Sequence, residues 1–388
     1  MSFGILWFVV AIVIIIMIHE AGHLYFAKRY GFKATKFFMG FGPTLWSTTK
    51  GETEYGVKAL PLGGFVKIVG MNPYEEVPPA DQPRSYPNKP RWQRALLILG
   101  GPMTHWIVAF LLLVFIITVI GVPTDEPTTT IEGVSTRSPA LEAGFEPDDR
   151  IVAVDGEEVQ SWEEISRFIK AHSGDTVQFT VVRDDARRTI DVQLGRAILD
   201  ANGRPVAYAR PGEDLRSLKS GESYGGFLGI APAPSYEREN LLTAIPEAGR
   251  LTGQATVGAT QSIYYFFDRK IFGGELLQSL GQPGERGLDE PIGLVGVGRI
   301  AGETAARGQW AEFLQLIVGL TIIIGLMNLL PLPPLDGGHL AVLAYESITK
   351  RTVDMRKLIP ISAAVVSFFL ILFFTILYLD ITRPVDPF

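Results

Sequence analysis

Four long apolar segments constrain the fold of this 388-residue chain more than any other feature. They lie at about 4–27, 95–120, 313–330 and 358–379, and each could form the helix of about 20 residues that crosses a bilayer. Hydrophobic residues make up 47% of the sequence, yet the stretch between the second and third segments is polar and acidic. We therefore predict a polytopic α-helical membrane protein with about four transmembrane helices and a soluble portion.

Charges in the connecting loops predict how these helices are oriented. Residues 28–94 contain eleven Lys and Arg against five Asp and Glu, and residues 349–357 carry four basic side chains. Residues 121–309 contain 29 acidic against 19 basic residues. Because short cytoplasmic loops are enriched in Lys and Arg, we expect both basic loops in the cytoplasm. The acidic segment and both termini are then extracytoplasmic.

The first apolar segment ends in a cluster of ionisable residues, His19-Glu20-Ala21-Gly22-His23. Positions i and i+4 share one face of a helix, with Cβ atoms roughly 5–6 Å apart, so the two histidines can bind one zinc ion. Glu20 lies where a carboxylate can take a proton from the attacking water. A solvated helix face is the alternative, but ionisable groups at the membrane centre cost about 2.5–3.5 kcal/mol each and rarely lack partners.

A third metal ligand is available where the third apolar segment ends. The chain has no cysteine, so a zinc site must use His, Asp or Glu. Residues 328–339 read NLLPLPPLDGGH, in which prolines interrupt the helix before Asp336 and glycines free the backbone after it. Irregular backbone at membrane depth is tolerated only inside protein or beside a wet cavity. Taken alone, Asp336 fits an ordinary polar turn as well as it fits a metal site.

The acidic segment begins with a module of mixed α and β character at about 128–194. Strand-like runs at 150–154 and 177–182 flank a helix-like stretch at 162–171, with glycine-containing turns between them. The patterns SPA at 138–140, AG at 143–144 and DDRI at 148–151 resemble the PDZ domains of bacterial membrane proteases. An unrelated small β domain is the alternative.

HEAGH in the first segment together with NLLPLPPLDGG at the third resembles the site-2 protease family of intramembrane zinc metalloproteases. The single PDZ-like module between the second and third segments agrees with this family. The resemblance covers nearly the whole chain, and residues 40–65 are most similar to the actinobacterial branch. Further matches lie at Gly40–Pro43, Pro61–Lys67, Gly100–Pro102 and Pro291–Gly293.

The resemblance implies a zinc metalloendopeptidase with Zn²⁺ bound by His19, His23 and Asp336, and with Glu20 as the catalytic base. Asn328 matches an asparagine that positions the substrate or stabilises the oxyanion. The implied partners are the lipid bilayer of the inner (plasma) membrane and single-span membrane proteins. These include anti-sigma factors already trimmed outside the membrane, with remnant signal peptides as a further class. At a net charge of −6, nothing predicts a nucleic-acid partner.

The sequence allows two interpretations for each of two further histidines. Where the family commonly has Asn, this chain has His105, so no family role transfers to it. We expect His105 to be a polar residue at a helix end and not a fourth ligand. His339 follows Asp336 by three residues, and we expect a structural role for it, with a contact to the metal site as the alternative.

The loop after the first segment is rich in strand formers and glycines at 57–66. We predict a membrane-associated β hairpin there, whose edge could hold an extended substrate by strand addition. A cytoplasmic hairpin that only packs the fold is the alternative.

These predictions divide the chain into four parts. They are the first half of the protease core (1–127), the PDZ-like domain (128–195), an extracytoplasmic linker with membrane-surface helices (196–309) and the second half of the core (310–388). Two rival functions are a catalytically inactive scaffold that binds partners through its PDZ-like domain, and a metal transporter. The intact HExxH and Asp336 argue against the first. The second and fourth spans lack ionisable clusters, which argues against the second.

Overall fold

A computed structural model describes residues 2–136, 138–200, 205–209, 215, 217–280 and 290–384. The chain forms two compact units. The first, here called the helical unit, comprises Met1–Val119 and Asn240–Phe388, and the second, the inserted unit, comprises Ile120–Glu239.

The first half of the helical unit is a helix, a β sheet and a second helix. Its elements are α1 (Ser2–Arg29), β1 (Ala34–Lys50), β2 (Thr53–Ile68) and α2 (Arg91–Phe115), which a π-helical turn extends over Ile116–Ile120. Helix α1 ends with Lys28 and Arg29, whose charges favour a helix C-terminus. Gly31 follows with φ +66°, a left-handed conformation that glycine adopts without strain.

Strands β1 and β2 are long and bent, so that they form more than a simple hairpin. Residues 37–39 pair with 64–66 on one side and with 55–57 on the other, while 46–50 pair with 53–57. Bends occur at Gly40, Gly42 and Gly63, whose φ angles of +82°, +86° and +104° disfavour other residues. The predicted strand-forming loop is therefore β structure. Its exposed apolar side chains include Phe41, Leu45, Trp46 and Leu60.

The inserted unit is mostly β structure. Its elements are β3 (Val122–Pro123), β4 (Ile131–Val134), α3 (Pro139–Ala143), β5 (Arg150–Val154), β6 (Glu157–Glu158), α4 (Trp162–Ala171), β7 (Thr176–Arg183), β8 (Ala186–Gln193), β9 (Gly195–Leu199), β10 (Pro205–Ala209), β11 (Ser223–Phe227), β12 (Ile230–Pro232) and β13 (Tyr236–Glu237). The sheets have the orders β6-β5-β7-β8, β10-β9-β11, β12-β4 and β13-β3. Ser161 and Glu164 form a capping box at the start of α4.

The inserted unit is larger than the module expected at 128–195. Strand β13 pairs with β3, and β12 pairs with β4, so that residues after 195 return to strands at the start of the unit. The predicted linker, which begins at 196, contains β10 and all but the first residue of β9. The sequence did not reveal β9 because four of its five residues are buried, so it lacks the regular alternation of a half-buried strand. Parts of the predicted linker, 201–204, 210–214, 216 and 281–289, lie outside the described residues.

The second half of the helical unit consists of helices. They are α5 (Leu241–Tyr265), continued by π-helical Phe266–Phe272, α6 (Glu275–Ser279), α7 (Leu294–Ala306), α8 (Trp310–Asn328), α9 (Asp336–Thr349) and α10 (Ile359–Thr382). Asp380 near the end of α10 accepts hydrogen bonds from the backbone N–H groups of Gly293 and Gly296, at 3.2 and 2.8 Å. Its carboxylate thus caps the N-terminus of α7.

Within the described residues, four helices are long and apolar enough to cross a membrane. They are Gly4–Arg29, Arg91–Ile120, Trp310–Asn328 and Met355–Thr382. Each overlaps one of the four predicted segments. The segment before Asp336 ends at Asn328 and not at about Leu330, because the proline-containing turn begins there.

Candidate metal centre

Helices α1 and α2 touch backbone to backbone where the HEAGH motif lies. A Cβ atom on Gly22 would be 2.1 Å from the carbonyl oxygen of Gly100, and one on Gly100 would be 2.6 Å from the carbonyl oxygen of Gly22. Both distances are far below any real contact, so this crossing requires glycine on both helices. The close approach brings the middle of α2 over the histidine face of α1.

Three side chains from two distant parts of the sequence converge at this crossing. His19 Nε2 and His23 Nε2 are 3.1 Å apart, and Asp336 Oδ2 lies 3.3 Å from the first and 3.4 Å from the second. Both histidines are buried, at 8% and 7% exposed. The structure thus brings together the three residues that the sequence suggested as metal ligands, and their donor atoms lie within 4.8 Å of one another.

Asp336 reaches the histidines because the turn before it is folded tightly. It is the first residue of α9, and the two glycines after it pack against the preceding chain. A Cβ atom on Gly337 would be 2.2 Å from the carbonyl oxygen of Leu329, and one on Gly338 would be 2.6 Å from the nitrogen of Pro333. The DGG sequence therefore permits α9 to begin in close contact with the turn that follows α8.

The hydrogen bond at Nδ1 of His23 leaves the lone pair of its Nε2 facing the centre. His23 Nδ1 is 2.8 Å from the carbonyl oxygen of Leu97, and because a carbonyl only accepts, this nitrogen carries the proton. Its Nε2 then presents a lone pair in the neutral ring. Asp336 Oδ2 is buried and makes no hydrogen bond within the described part of the chain. Converging acceptor atoms repel one another, and a divalent cation such as Zn²⁺ satisfies them.

Gly101 supplies the space beside these donor atoms. A Cβ atom on Gly101 would lie 2.2 Å from His23 Nε2 and 2.8 Å from His19 Cε1. Any side chain here would occupy the volume that a metal ion needs. The space beside Gly101, the Nε2 lone pair of His23 and the Asp336 oxygen without a hydrogen bond together fit zinc.

We expect Gly101→Ala to abolish zinc binding while leaving the helices intact. The added methyl group must displace His23 or His19, and misplacing a reacting group by about 1 Å costs about 10²-fold in rate. Zinc content and cleavage should therefore both fall. Gly319→Ala is the matched control, because nothing lies within 4 Å of its added Cβ atom. Normal zinc content in Gly101→Ala would contradict the assigned position of the metal.

The glutamate of the motif is held by the β sheet. Glu20 Oε2 accepts a hydrogen bond of 2.9 Å from the backbone N–H of Val66 in β2. Gly64, two residues earlier, lets β2 approach α1 closely, since a Cβ atom there would lie 2.9 Å from Sδ of Met17. One carboxylate oxygen is thus fixed by β2.

The other three candidate residues, Asn328, His339 and His105, are not part of the group of three donor atoms. Asn328 is the half-buried last residue of α8, and His339 is half-buried in the first turn of α9. His105 lies within α2, is 1% exposed, and contacts His19. The expectation that His105 is a polar residue at a helix end was wrong. Its sequence signal is the spacing of Leu97, Gly101 and His105 by four residues, which places all three on one helix face.

An HExxH helix and a buried aspartate, assembled among apolar helices, define a candidate metallopeptidase of the membrane. Comparison with known sequences agrees: the chain belongs to peptidase family M50, whose profile matches residues 7–373. It is 33% identical over 370 residues to zinc metalloprotease Rip1 of Mycobacterium tuberculosis, covering 91% of this chain and 88% of that protein. It is 31% identical over 373 residues to metalloprotease MmpA of Caulobacter vibrioides, covering 87% and 85%.

Solved structures match only part of the chain. The PDZ domain of an SdrC-like protein from Listeria monocytogenes is 23% identical, with a TM-score of 0.18, over 23% of this chain and 93% of that domain.

These findings confirm the predicted membership of the site-2 protease family, with actinobacterial relatives among the matches. The protein is a zinc metalloendopeptidase, and its four apolar helices together with its family make it a multi-pass membrane protein.

Proposed function

We propose that this metalloprotease cleaves single-span membrane proteins within or near the bilayer, at a zinc ion bound by His19, His23 and Asp336. The convergence of these three donor atoms within 4.8 Å of one another, among helices apolar enough to span a membrane, carries the proposal. Catalytic zinc sites commonly have three protein ligands and one open position.

In the proposed mechanism, each residue around the metal has a different role. When bound, zinc polarises the scissile carbonyl and makes the attacking water more acidic. Glu20 takes the proton from this water and later delivers it to the leaving amine. The N–H group of Val66 keeps the carboxylate oriented for both transfers. We propose that Asn328, at the end of α8, stabilises the oxyanion.

The family resemblance suggests the substrates and the setting. We propose anti-sigma factors trimmed outside the membrane as substrates, with remnant signal peptides as a second class. Residues 128–195 form the core of a PDZ-like filter that selects substrates by size or tail. We propose that the protein lies in the inner membrane with this filter and both termini extracytoplasmic, a topology that the loop charges support.

We further propose that the substrate docks beside β2 as an added strand. Residues 64–66 pair with 37–39 on one side, and the N–H of Val66 points away from that pairing, toward Glu20. Alternate residues of a strand direct their N–H groups to the same side, so Gly64 shares this edge with Val66. A peptide held extended along this edge would pass directly beside the base. Strand addition would also unwind a substrate helix for cleavage.

Val66→Pro tests the coupling between this strand and the base. Proline has no N–H to donate, and a hydrogen bond to a charged group contributes about 1.5–3 kcal/mol, so we expect cleavage to slow by about 10- to 10²-fold. Zinc content should stay normal, since no donor atom of the metal centre moves. Ala59→Pro is the control, because Ala59 forms no ladder pair in the sheet. Equal losses in both variants would mean that the hairpin is only scaffold.

Reconstituted protein tests the proposed function itself. Purified enzyme in liposomes should cut a single-span protein whose outer domain has been removed, and mass spectrometry should locate the cut within the span. Zinc chelation should stop the reaction, and added zinc should restore it. Failure of zinc-loaded enzyme to cut any of several trimmed single-span proteins would favour the scaffold alternative.

A further inference from the structure

A buried histidine on α2 contacts His19 on the side of the ring that faces away from the metal centre. His105 is 1% exposed, and its Nε2 lies 3.1 Å from Nδ1 of His19. That nitrogen of His19 is not the one that approaches Asp336, because the 3.3 Å contact is made by Nε2. His105 therefore meets the side of the His19 ring that faces away from the metal position. In this arrangement it is not a fourth ligand.

We propose that His105 is a positioning residue, whose Nε2 accepts a hydrogen bond from Nδ1–H of His19 and so directs the Nε2 lone pair of His19 at the metal. The inference rests on the zinc ligation by His19 proposed above. A metal-binding histidine usually donates its other ring N–H to an acceptor, which fixes the tautomer and the orientation of the ring.

Helix α2 supplies such an acceptor to each of the two histidines of the motif. The carbonyl oxygen of Leu97 accepts from Nδ1 of His23 at 2.8 Å. His105, two turns further along the same face, holds the corresponding place for Nδ1 of His19. With both Nδ1 atoms protonated, both Nε2 atoms are free to bind the metal. The pairing of α1 with α2 thus determines the chemistry of both rings.

The second nitrogen of His105 supports this assignment. If Nε2 accepts, the neutral ring carries its proton on Nδ1. That Nδ1 is buried and has no hydrogen-bond partner within the described part of the chain. A buried donor without a partner is unfavourable for folding. Fold stability therefore does not explain a histidine at this position. The hydrogen bond between its Nε2 and His19 explains it better.

The close packing around His105 keeps its ring in place. A Cβ atom on Gly325 of α8 would lie 2.8 Å from Cβ of His105 and 3.2 Å from its Cγ. Helix α8 thus leaves room for the histidine only because it has glycine there. The ring is held between α1 and α8, where it can keep the orientation of His19 fixed.

Zinc affinity of His105 variants tests the proposal without relying on activity. His105→Leu fills the space but has no acceptor, and loss of an outer hydrogen-bond partner typically weakens metal binding by about 10- to 100-fold. His105→Gln can place its amide oxygen near the position of Nε2 and should bind zinc nearly as the wild type does. Affinities are measured in detergent by competition with chelators of graded strength. Trp106→Phe, the neighbour whose Nε1 donates to Thr256, should keep wild-type affinity.

Each outcome distinguishes positioning from simple space filling. Wild-type zinc affinity in His105→Leu, or equal weakening in the Leu and Gln variants, would overturn the proposal. If His105→Leu does not fold, His105→Met replaces it, and thermal unfolding of the metal-free proteins shows whether each is intact. Unfolding of both apolar variants in the absence of metal would assign His105 a role in the fold and also overturn the proposal. Absence of zinc from the wild-type protein would instead refute the proposed function.

Discussion

Glu20→Gln is expected to bind zinc like the wild-type protein and to cleave peptide bonds about 10²- to 10⁴-fold more slowly, the range that a general base contributes. An amide has nearly the shape of the carboxylate and can still accept the N–H of Val66, so the α1–β2 contact should survive. It cannot accept the proton of the attacking water. Peptide-bond cleavage should therefore slow while zinc stays bound.

The chain offers a closely matched control for this substitution. Glu75 also accepts a backbone hydrogen bond, from Gly70 at 3.0 Å, and it lies outside the four apolar helices. Glu75→Gln should cleave normally. Rates and zinc contents of both variants are measured on the same trimmed substrate in liposomes. Near wild-type cleavage by Glu20→Gln would remove Glu20 from the mechanism.

Asp336→Ala is expected to lose both zinc and activity. Removing the carboxylate leaves two protein ligands where catalytic zinc usually has three. The loss of affinity should exceed the roughly 10- to 100-fold that removal of an outer partner costs. Zinc content by elemental analysis and affinity by chelator competition measure the effect.

Asp380→Asn provides the comparison for Asp336→Ala, because Asp380 is another buried carboxylate of the helical unit. Its contacts are with the N-terminus of α7, so this variant should lose stability but keep zinc. Full zinc content in Asp336→Ala would mean that another residue, such as His339, completes the site.

Local sequence predicted the parts of the metal centre that lie on one helix. His19 and His23 share a face because they are four residues apart, and Glu20 follows directly. The approach of Asp336 could not be derived this way. It depends on the Gly22–Gly100 crossing and on the folded turn before α9, which together bring Asp336 to histidines more than 300 residues earlier in the chain. Apart from the structure, only the family resemblance indicated that Asp336 belongs to the same site as the HEAGH motif.

The β structure was predictable in kind but not in arrangement. Strand formers and glycines at 57–66 indicated a hairpin, but the double pairing of residues 37–39 depends on bends at three glycines. The hydrogen bond from Val66 to Glu20 follows from that arrangement. The extent of the inserted unit was missed because its closing strands, β12 and β13, have only three and two residues. Such short strands carry no periodic signal.

X-ray absorption at the zinc edge reports directly on which side chains bind the metal. Glu20→Gln protein, purified in detergent and loaded with one zinc per chain, keeps the ligands but turns over no substrate during measurement. We expect two imidazole ligands with Zn–N distances of about 2.0–2.1 Å, completed by oxygen, and one imidazole fewer in His23→Ala. A spectrum with a single imidazole, or one that His23→Ala leaves unchanged, would contradict it.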